Sequence, residues 1–600
     1  MGSLEEKVVA FEEVRCFLAQ EVNKIAIKCG GEAGSGIMTV GFLLSKLLQR
    51  HGLFVVTTND YPSLIKGGHN AIHIRAESEP IFSHIHLVDV LIALDQQTVD
   101  KHYREMTSGG VVLYESEVVT IDPVKHNRSD VKLYPVPFLT IAKELGNMLF
   151  FNMAAVGSCM GLIGVDMKEL EPLLLGKFQK KGDDVAQKNI EAATKGCLYV
   201  KEHFPEEFKT RIEKIPQNDK ILITGNDAIC LGALRAGCKF IGEYPMSPSS
   251  SILSFMAAHE ESYNIVVKHT EDEIAAINMI IGAGFAGVRS MTATSGGGFA
   301  LMTEAIGLAG ISETPIVVVS SQRSGPSTGM PTYNEQADLR MALHASQGEF
   351  PRVVIAPGTV EECFYEAINA FNLAELLQLP VIILIDKYLS DTMVTTPMFD
   401  PDHGKVNRGK LIVPPDKAPV GYLRYQFTQD GISPRAVPGV EGAVHVGTSY
   451  EHDETGFTCE DPVNRVRMVD KRAVKLKAID PAINAPRLYG MKEADLTIIA
   501  WGSTIGPVKE ALKWLGNDGY DVNLLQVVYM EPFPIEAISY LLRTAKKTLL
   551  IEANSTGQLG SLIREKTGYM MDYSLLRYDG RPFEPADIYN EITKYVQKKS

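Results

Sequence analysis

Short apolar runs alternate along the chain with stretches where apolar residues recur every three or four positions. Residues 23–60 read NKIAIKCGGEAGSGIMTVGFLLSKLLQRHGLFVVTTND. That pattern predicts a strand, a glycine-rich turn, a helix over Ile37–Arg50 and a second strand, a βαβ unit. VDVLIALD and GGVVLYES predict further strands, and a helical period runs from about Val185 to Phe204. PEEFKTRIEKIPQNDK is charged and proline-marked and reads as a linker. A second alternation opens at KILITGNDAICLGALRAGCKFIGEYP and continues through YNIVVKH, TPIVVVSS, RVVIAPG and PVIILIDKYL. Uninterrupted apolar strands between helices predict a mostly parallel sheet covered on both faces. From Asp400 to about Pro486 the periodicity fails in favour of Pro, Gly and charge, which predicts a segment wrapped over neighbouring domains. LTIIAWGS, IGPVKEALKWLGNDG, VNLLQVVY, IEAISYLLRTA and KTLLIEANS then restore βαβ order. Three α/β units and one irregular connector follow.

Composition narrows the function classes. The 600 residues carry 59 Lys plus Arg against 73 Asp plus Glu, a net charge of -14. Nucleic-acid binding over a broad basic face is disfavoured, although a local basic pocket for an anionic substrate is not. The eight cysteines form no CxxC pair and no cluster with metal-ligand spacing, which predicts reduced thiols in a cytoplasmic protein. MGSLEEKVVAFEEV lacks a signal-peptide apolar region, and Glu6 spoils a myristoylation reading of Gly2. No run of about 18 apolar residues predicts a membrane span.

Several loops hold residue types that carry chemistry. Gly31, Gly34 and Gly36 lie between a strand and a helix, where glycines serve phosphate approach or tight packing; the spacing is not GxGxxG. Lys66 precedes Gly67 and Gly68, as a solvated surface charge or as a mobile cationic latch. In YPMSPSSSI, Pro245 and Pro248 fix two φ angles, and Ser249, Ser250 or Ser251 is placed to cap the next helix. Ser247, between the prolines, would be held at the C-terminal end of a strand, where open α/β sheets bind ligands. Glu271 and Glu273 fall near a helix N-terminus, where acidic residues are ordinary dipole partners. Arg323 follows the strand TPIVVVSS, with Ser327, Thr328 and Thr332 behind it. An arginine there grips a carboxylate through two parallel hydrogen bonds, or bonds loop carbonyls.

Taken together, YPMSPSSS, EDEIAAIN, TATSGGGF and QRSGPSTGMPT resemble, in order and spacing, the α subunit of 2-oxoacid:ferredoxin oxidoreductases. GGEAGSG…YPSLIKGGHNAIHIR is similar to the γ domain of the same enzymes, here fused N-terminal to α. The resemblance extends over about residues 21–590 and includes YLRY…DGISPRAVPG…EHDETG and EANSTGQLG. It implies a multidomain α/β fold: a Rossmann-like γ domain at 21–205, a thiamine-diphosphate-binding domain of pyrimidine type at 221–397, an irregular connector at 398–488 and a transketolase C-terminal-like domain at 489–595. The implied reaction takes a 2-oxoacid and coenzyme A to acyl-CoA and CO₂, or the reverse, with electrons exchanged with ferredoxin. The implied acid is 2-oxoglutarate, with pyruvate and branched-chain acids left open.

The resemblance also implies roles for single residues. Glu273 matches the acid that bonds the cofactor's aminopyrimidine, with Tyr244 and Pro245 beside the cofactor. Arg323 matches the arginine that holds the substrate carboxylate, and Thr332 shares its loop. Ser247 stands where the family usually has Thr in YPITPS. Lys66 matches a γ-domain lysine that moves toward the active site when ligand binds.

Two family features are missing. No GDG…N segment grips a diphosphate and Mg²⁺; the nearest stretch, KGDDVAQKN, is too short. No cysteine set suits a [4Fe-4S] cluster. The resemblance thus implies half an active site, no metal in this chain, and a β partner that brings the diphosphate grip, Mg²⁺ and the cluster, in an (αβ)₂ assembly. A non-catalytic scaffold and a nucleotide-binding redox protein are the rival readings.

Overall fold

The computed structural model describes residues 21–63, 67–122, 128–216 and 219–598. Among these, one compact unit takes the residues up to Leu53 with Arg75–Ser78 and Leu87–Pro216. The other takes Phe54–Ile74, Glu79–His86 and the chain beyond.

In the first unit the strands Lys24–Glu32, Val88–Ala93, Met106–Glu115 and Lys132–Val136 pair in parallel in that order. The helix Ile37–Arg50 follows the first strand, as its apolar period predicts, and buries Val40, Leu43, Leu44, Leu47 and Leu48. The glycine-rich turn before it is filled by the unit's own side chains. Gly36 has φ 84°, and a Cβ there would come within 2.3 Å of Asn152 Nδ2. The segment read as a linker is docked. Thr210–Arg211 pairs in parallel with Glu21–Val22, and the backbone N–H of Glu213 donates to Asn23 Oδ1 at 2.7 Å. Main-chain pairing of two residues leaves no periodicity for a sequence pattern to reveal.

The second unit is built on a parallel sheet. Its strands run Val266–His269, Phe240–Glu243, Ser290–Thr294, Ile316–Gln322, Pro380–Asp386 and Val353–Ile355, with Tyr529–Glu531 added antiparallel at the edge. Every residue of Ser290–Thr294, Ile316–Gln322 and Pro380–Asp386 is buried, the condition under which strands read as continuous apolar runs. One face packs on the helices Gly225–Arg235 and Val360–Leu377. The other packs on Glu273–Phe285 and Gly296–Ile311, and its core continues into Trp501, Leu525, Leu550 and Leu559 of the C-terminal βαβ segment. That segment has its own sheet, with Val522–Gln526, Leu496–Ala500, Thr548–Glu552 and Tyr573–Leu576 parallel and Arg487–Tyr489 antiparallel. Phe54–Asp60, the second strand of the expected N-terminal βαβ unit, pairs antiparallel with Met393–Pro397, which also pairs with Lys220–Ile223.

The connector is less irregular than its composition suggests. It contains a helix, Pro462–Val474, capped by Asp461 with Pro462 in its first turn. That start signal stands in the sequence, but the following NRVRMVDKR hides a single buried apolar residue, Met468, among charges.

Candidate active site

Parallel strands deliver their C-terminal ends to one edge of the sheet, and the loops leaving that edge hold the expected chemistry. Thr294 pairs with Ser320 and Gln322 with Asp386. The segments after Glu243, Thr294 and Gln322 therefore leave from neighbouring strands. Arg323 Nη1 donates to the carbonyl of Ser247 at 2.8 Å, which brings together two of the residues singled out in the sequence.

The Tyr244–Ser249 loop closes on itself. Both the backbone N–H and the hydroxyl of Ser249 donate to the carbonyl of Met246, at 2.8 and 2.7 Å. The serine cap expected for the next helix, Ser250–Ala258, is therefore not formed by Ser249, whose hydroxyl satisfies the loop instead. Ser251 Oγ accepts from Asn226 Nδ2 at 2.8 Å, and the same amide donates to the carbonyl of Pro248. Tyr244 keeps 37% of its surface exposed, with its ring centroid 6.3 Å from that of His269.

The acidic helix start divides its labour between two residues. Asp272 is the cap: its carboxylate accepts from the N–H of Ala275 at 2.7 Å. Glu273, the first helical residue, is only 3% exposed, and its Oε1 has no hydrogen-bond partner among the described residues. It lies against Gly298 of TATSGGGF, where a Cβ would stand 2.6 Å from Glu273 Oε1 and 2.0 Å from Thr294 Oγ1. Only glycine leaves room for that carboxyl. Thr294 Oγ1 in turn lies 4.0 Å from Met246 Sδ, which joins Glu273 to the Ser247–Arg323 pair.

A small hairpin closes the Arg323 loop. Met330 N–H donates to Ser324 O at 2.9 Å and Ser324 N–H to Tyr333 O at 3.2 Å. Thr332 is 5% exposed, and its hydroxyl also lacks a partner among the described residues. Lys66 lies outside the described residues.

Two carboxyls escape sequence reasoning. Asp338 packs against the N-terminal turn of Gly296–Ile311, its Oδ2 2.5 Å from where a Gly296 Cβ would stand. Burial, with help from Glu335, pushes its pKa up to about 6, while Arg323 opposes the rise. In EQADL nothing distinguishes it from a routine loop acid. Glu243, the last residue of its strand, is fully buried with neither carboxyl oxygen bonded among the described residues, and burial pushes its pKa well above the usual range.

Three family models match the chain. Residues 231–471 match the thiamine-diphosphate-binding domain of pyruvate flavodoxin/ferredoxin oxidoreductase. Residues 26–199 match pyruvate ferredoxin/flavodoxin oxidoreductase, and 494–588 match core domain II of pyruvate:ferredoxin oxidoreductase. A 2-oxoacid:ferredoxin oxidoreductase alpha subunit from Aeropyrum pernix is 32% identical over 96% of this chain and 98% of its own. The chain belongs to the 2-oxoacid:ferredoxin oxidoreductases. The subunit KorA of a 2-oxoglutarate oxidoreductase from Mycobacterium tuberculosis is 28% identical over 96% of this chain and 92% of its own. Among solved structures, the 2-oxoglutarate:ferredoxin oxidoreductase from Magnetococcus marinus superposes with a TM-score of 0.87 at 34% identity. The match covers 96% of this chain and all of that one, which holds 2-oxoglutarate, coenzyme A and succinyl-CoA.

As a subunit of such an oxidoreductase, the chain should receive thiamine diphosphate where the first match falls, and the residues fit it. Glu273 is a buried acid with an unused oxygen, in a cradle that a Cβ at Gly298 would fill, and it suits a ring nitrogen that shares a proton. Among the described residues no group of three or more His, Cys, Asp or Glu is arranged to hold a metal ion, and no helix is long and apolar enough to cross a membrane.

Proposed function

We propose that this subunit forms one half of a thiamine diphosphate site that decarboxylates 2-oxoglutarate oxidatively with coenzyme A to succinyl-CoA, or runs the reverse. The observation that carries the reading is the unpartnered Glu273 Oε1 against Gly298, in the same loop cluster as Ser247 and Arg323. Thiamine diphosphate supplies the electron sink for loss of the carboxylate. Glu273 holds a proton at the aminopyrimidine nitrogen from a dry pocket, where the bond is strong. Tyr244 and Pro245 flank the ring. Arg323, fixed by the Ser247 carbonyl, keeps donors free for the substrate carboxylate, with the hydroxyls of Ser247 and Thr332 beside it. Lys66 approaches the same substrate.

A β partner brings the diphosphate grip, Mg²⁺ and a [4Fe-4S] cluster, and passes electrons to ferredoxin in a cytoplasmic (αβ)₂ assembly. Residues 21–205 serve as the γ domain, 221–397 as the pyrimidine-binding domain, 398–488 as the connector and 489–595 as the transketolase C-terminal-like domain. Support for 2-oxoglutarate over pyruvate or branched-chain acids comes from relatives named for that acid and from the acid bound in the Magnetococcus marinus enzyme.

The test is acyl-CoA formation from each acid with the β partner present. Glu273→Gln should lower kcat on the order of 100-fold or more, the scale of a lost proton-handling group. Unchanged turnover in that variant would mean a scaffold.

A further inference from the structure

A 2-oxoacid with a second carboxylate needs a second cation near Arg323, and the cations around the Arg323 hairpin differ in how they are used. Arg340 is paired with Glu565, and Arg577 with Asp579 and Asp587. Lys387 donates to the carbonyl of Asn59 at 2.7 Å and faces Asp391. Arg581 differs: among the described residues no carboxylate pairs with it, and its guanidinium carbon sits 4.1 Å over the ring of Tyr333.

The turn that carries Arg581 is fitted to the hairpin. Asn334 N–H donates to the carbonyl of Gly580 at 3.0 Å, and Arg581 N–H donates to Asp579 Oδ1 at 2.9 Å. Gly580 has φ +80°, and a Cβ there would lie 2.6 Å from Met330 Cε, 3.2 Å from Tyr333 Cβ and 3.3 Å from Ser324 Oγ. Ser324 follows Arg323, and Tyr333 follows Thr332. The Asp579–Arg581 turn is thus seated on the residues next to both candidate substrate groups. Its place over Tyr333 holds the guanidinium, and its donors have no partner among the described residues, which suits the two hydrogen bonds through which arginine takes a carboxylate.

We infer that Arg581, held over Tyr333 by the Asp579–Arg581 turn, is a specificity-determining residue that binds the distal carboxylate of a dicarboxylic 2-oxoacid. The inference rests on the 2-oxoglutarate reading above and names the residue that would produce it. It makes the C-terminal βαβ segment part of substrate selection.

The experiment uses the holoenzyme assembled with the β partner and compares wild type, Arg581→Ala, Arg581→Lys and Arg581→Glu. For each, kcat/KM is measured with 2-oxoglutarate and with 2-oxobutyrate, which lacks the distal carboxylate, along with the KM for coenzyme A. Arg581→Ala should lower kcat/KM for 2-oxoglutarate on the order of 100-fold, mainly through KM, and change that for 2-oxobutyrate less than about three-fold. Arg581→Lys should recover part of the loss, and Arg581→Glu should make 2-oxobutyrate the better substrate, which a merely unfolded variant does not do. Equal loss on both acids, or a raised KM for coenzyme A alone, would overturn the assignment. Wild type that handles both acids equally well would sink the 2-oxoglutarate reading and Arg581 with it. Wild-type preference that survives in Arg581→Ala would sink Arg581 alone.

Discussion

Glu243 is a costly side chain to bury: a carboxyl with no exposed surface and no partner among the described residues for either oxygen. Burial raises its folded pKa well above the ordinary 4.5, so the folded state keeps a proton that the unfolded chain gives up. Its contribution to stability is whole below the unfolded value and is lost as pH rises toward the folded one, by about 1.4 kcal/mol per pH unit. Glu243→Gln keeps the shape and removes the titration. Its unfolding free energy should match wild type near pH 4 and exceed it once pH rises above the ordinary carboxylate value, as read from urea midpoints across pH. Equal midpoints at pH 8 would show that the carboxyl is satisfied. In sequence, Glu243 reads as a polar residue at a strand end. Its side chain points into the core because the strand's alternation places it on the same face as Ile241, and that became legible only with the sheet in place. Ser247 and Arg323 stand out in the sequence because their loops carry recognisable residue strings, and a hydrogen bond joins them in the fold.

The connector shows how a segment poor in apolar periodicity still docks. It adds a small cluster around Ala436, Val437, Val440 and Ala443, places Ile432 and Ile479 in the neighbouring core, and is pinned by ion pairs. Lys471 Nζ bonds both oxygens of Glu313 at 2.6 and 2.8 Å, and Lys475 joins them, all three groups fully buried. Arg435 meets Glu375 in the same manner, and Arg408 bonds that carboxylate from a partly exposed position. Burial alone would raise the pKa of Glu313, but Lys471, Lys475 and Arg424 outweigh it and hold the carboxyl well below its usual range. That stabilisation is present above the ordinary carboxylate pKa and is lost as pH falls below it. Glu313→Gln leaves two lysines without their counter-charge and should cost about 3–5 kcal/mol at pH 7, with a smaller difference at acid pH. Chemical denaturation at the two pH values checks this, and a loss under about 1 kcal/mol at pH 7 would mean that the pin is dispensable. A pattern search built on apolar spacing passes over such a segment, although Asp461–Pro462 marked the start of its helix. Two of the fully buried strands were legible for the opposite reason: Ile316–Gln322 and Pro380–Asp386 open on the unbroken apolar runs IVVV and PVIILI. Which strands pair was not, since Phe54–Asp60 joins Met393–Pro397 across more than 300 residues of chain.

At the scale of the molecule, the chain offers one side of a cofactor site. On the function proposed above, Glu273 would address a pyrimidine ring, and Arg323 and Ser247 a substrate, while the sequence contains no GDG…N segment for a diphosphate and its metal. Most of the affinity for a diphosphate cofactor comes from its charged end, through the metal and the groups that hold it. The purified chain should therefore bind thiamine diphosphate more weakly than about 100 μM, or ~5.5 kcal/mol, with no dependence on Mg²⁺. Adding the β partner should tighten binding at least about 100-fold and make it Mg²⁺-dependent, both read by titration calorimetry. Glu273→Gln separates the two halves: it should weaken cofactor binding in the assembled enzyme while leaving the Mg²⁺ requirement intact, because the proposed function assigns the metal to the partner's side. Tight, Mg²⁺-dependent binding by the chain alone would place a diphosphate grip within these 600 residues and remove the need for a partner at that end of the cofactor.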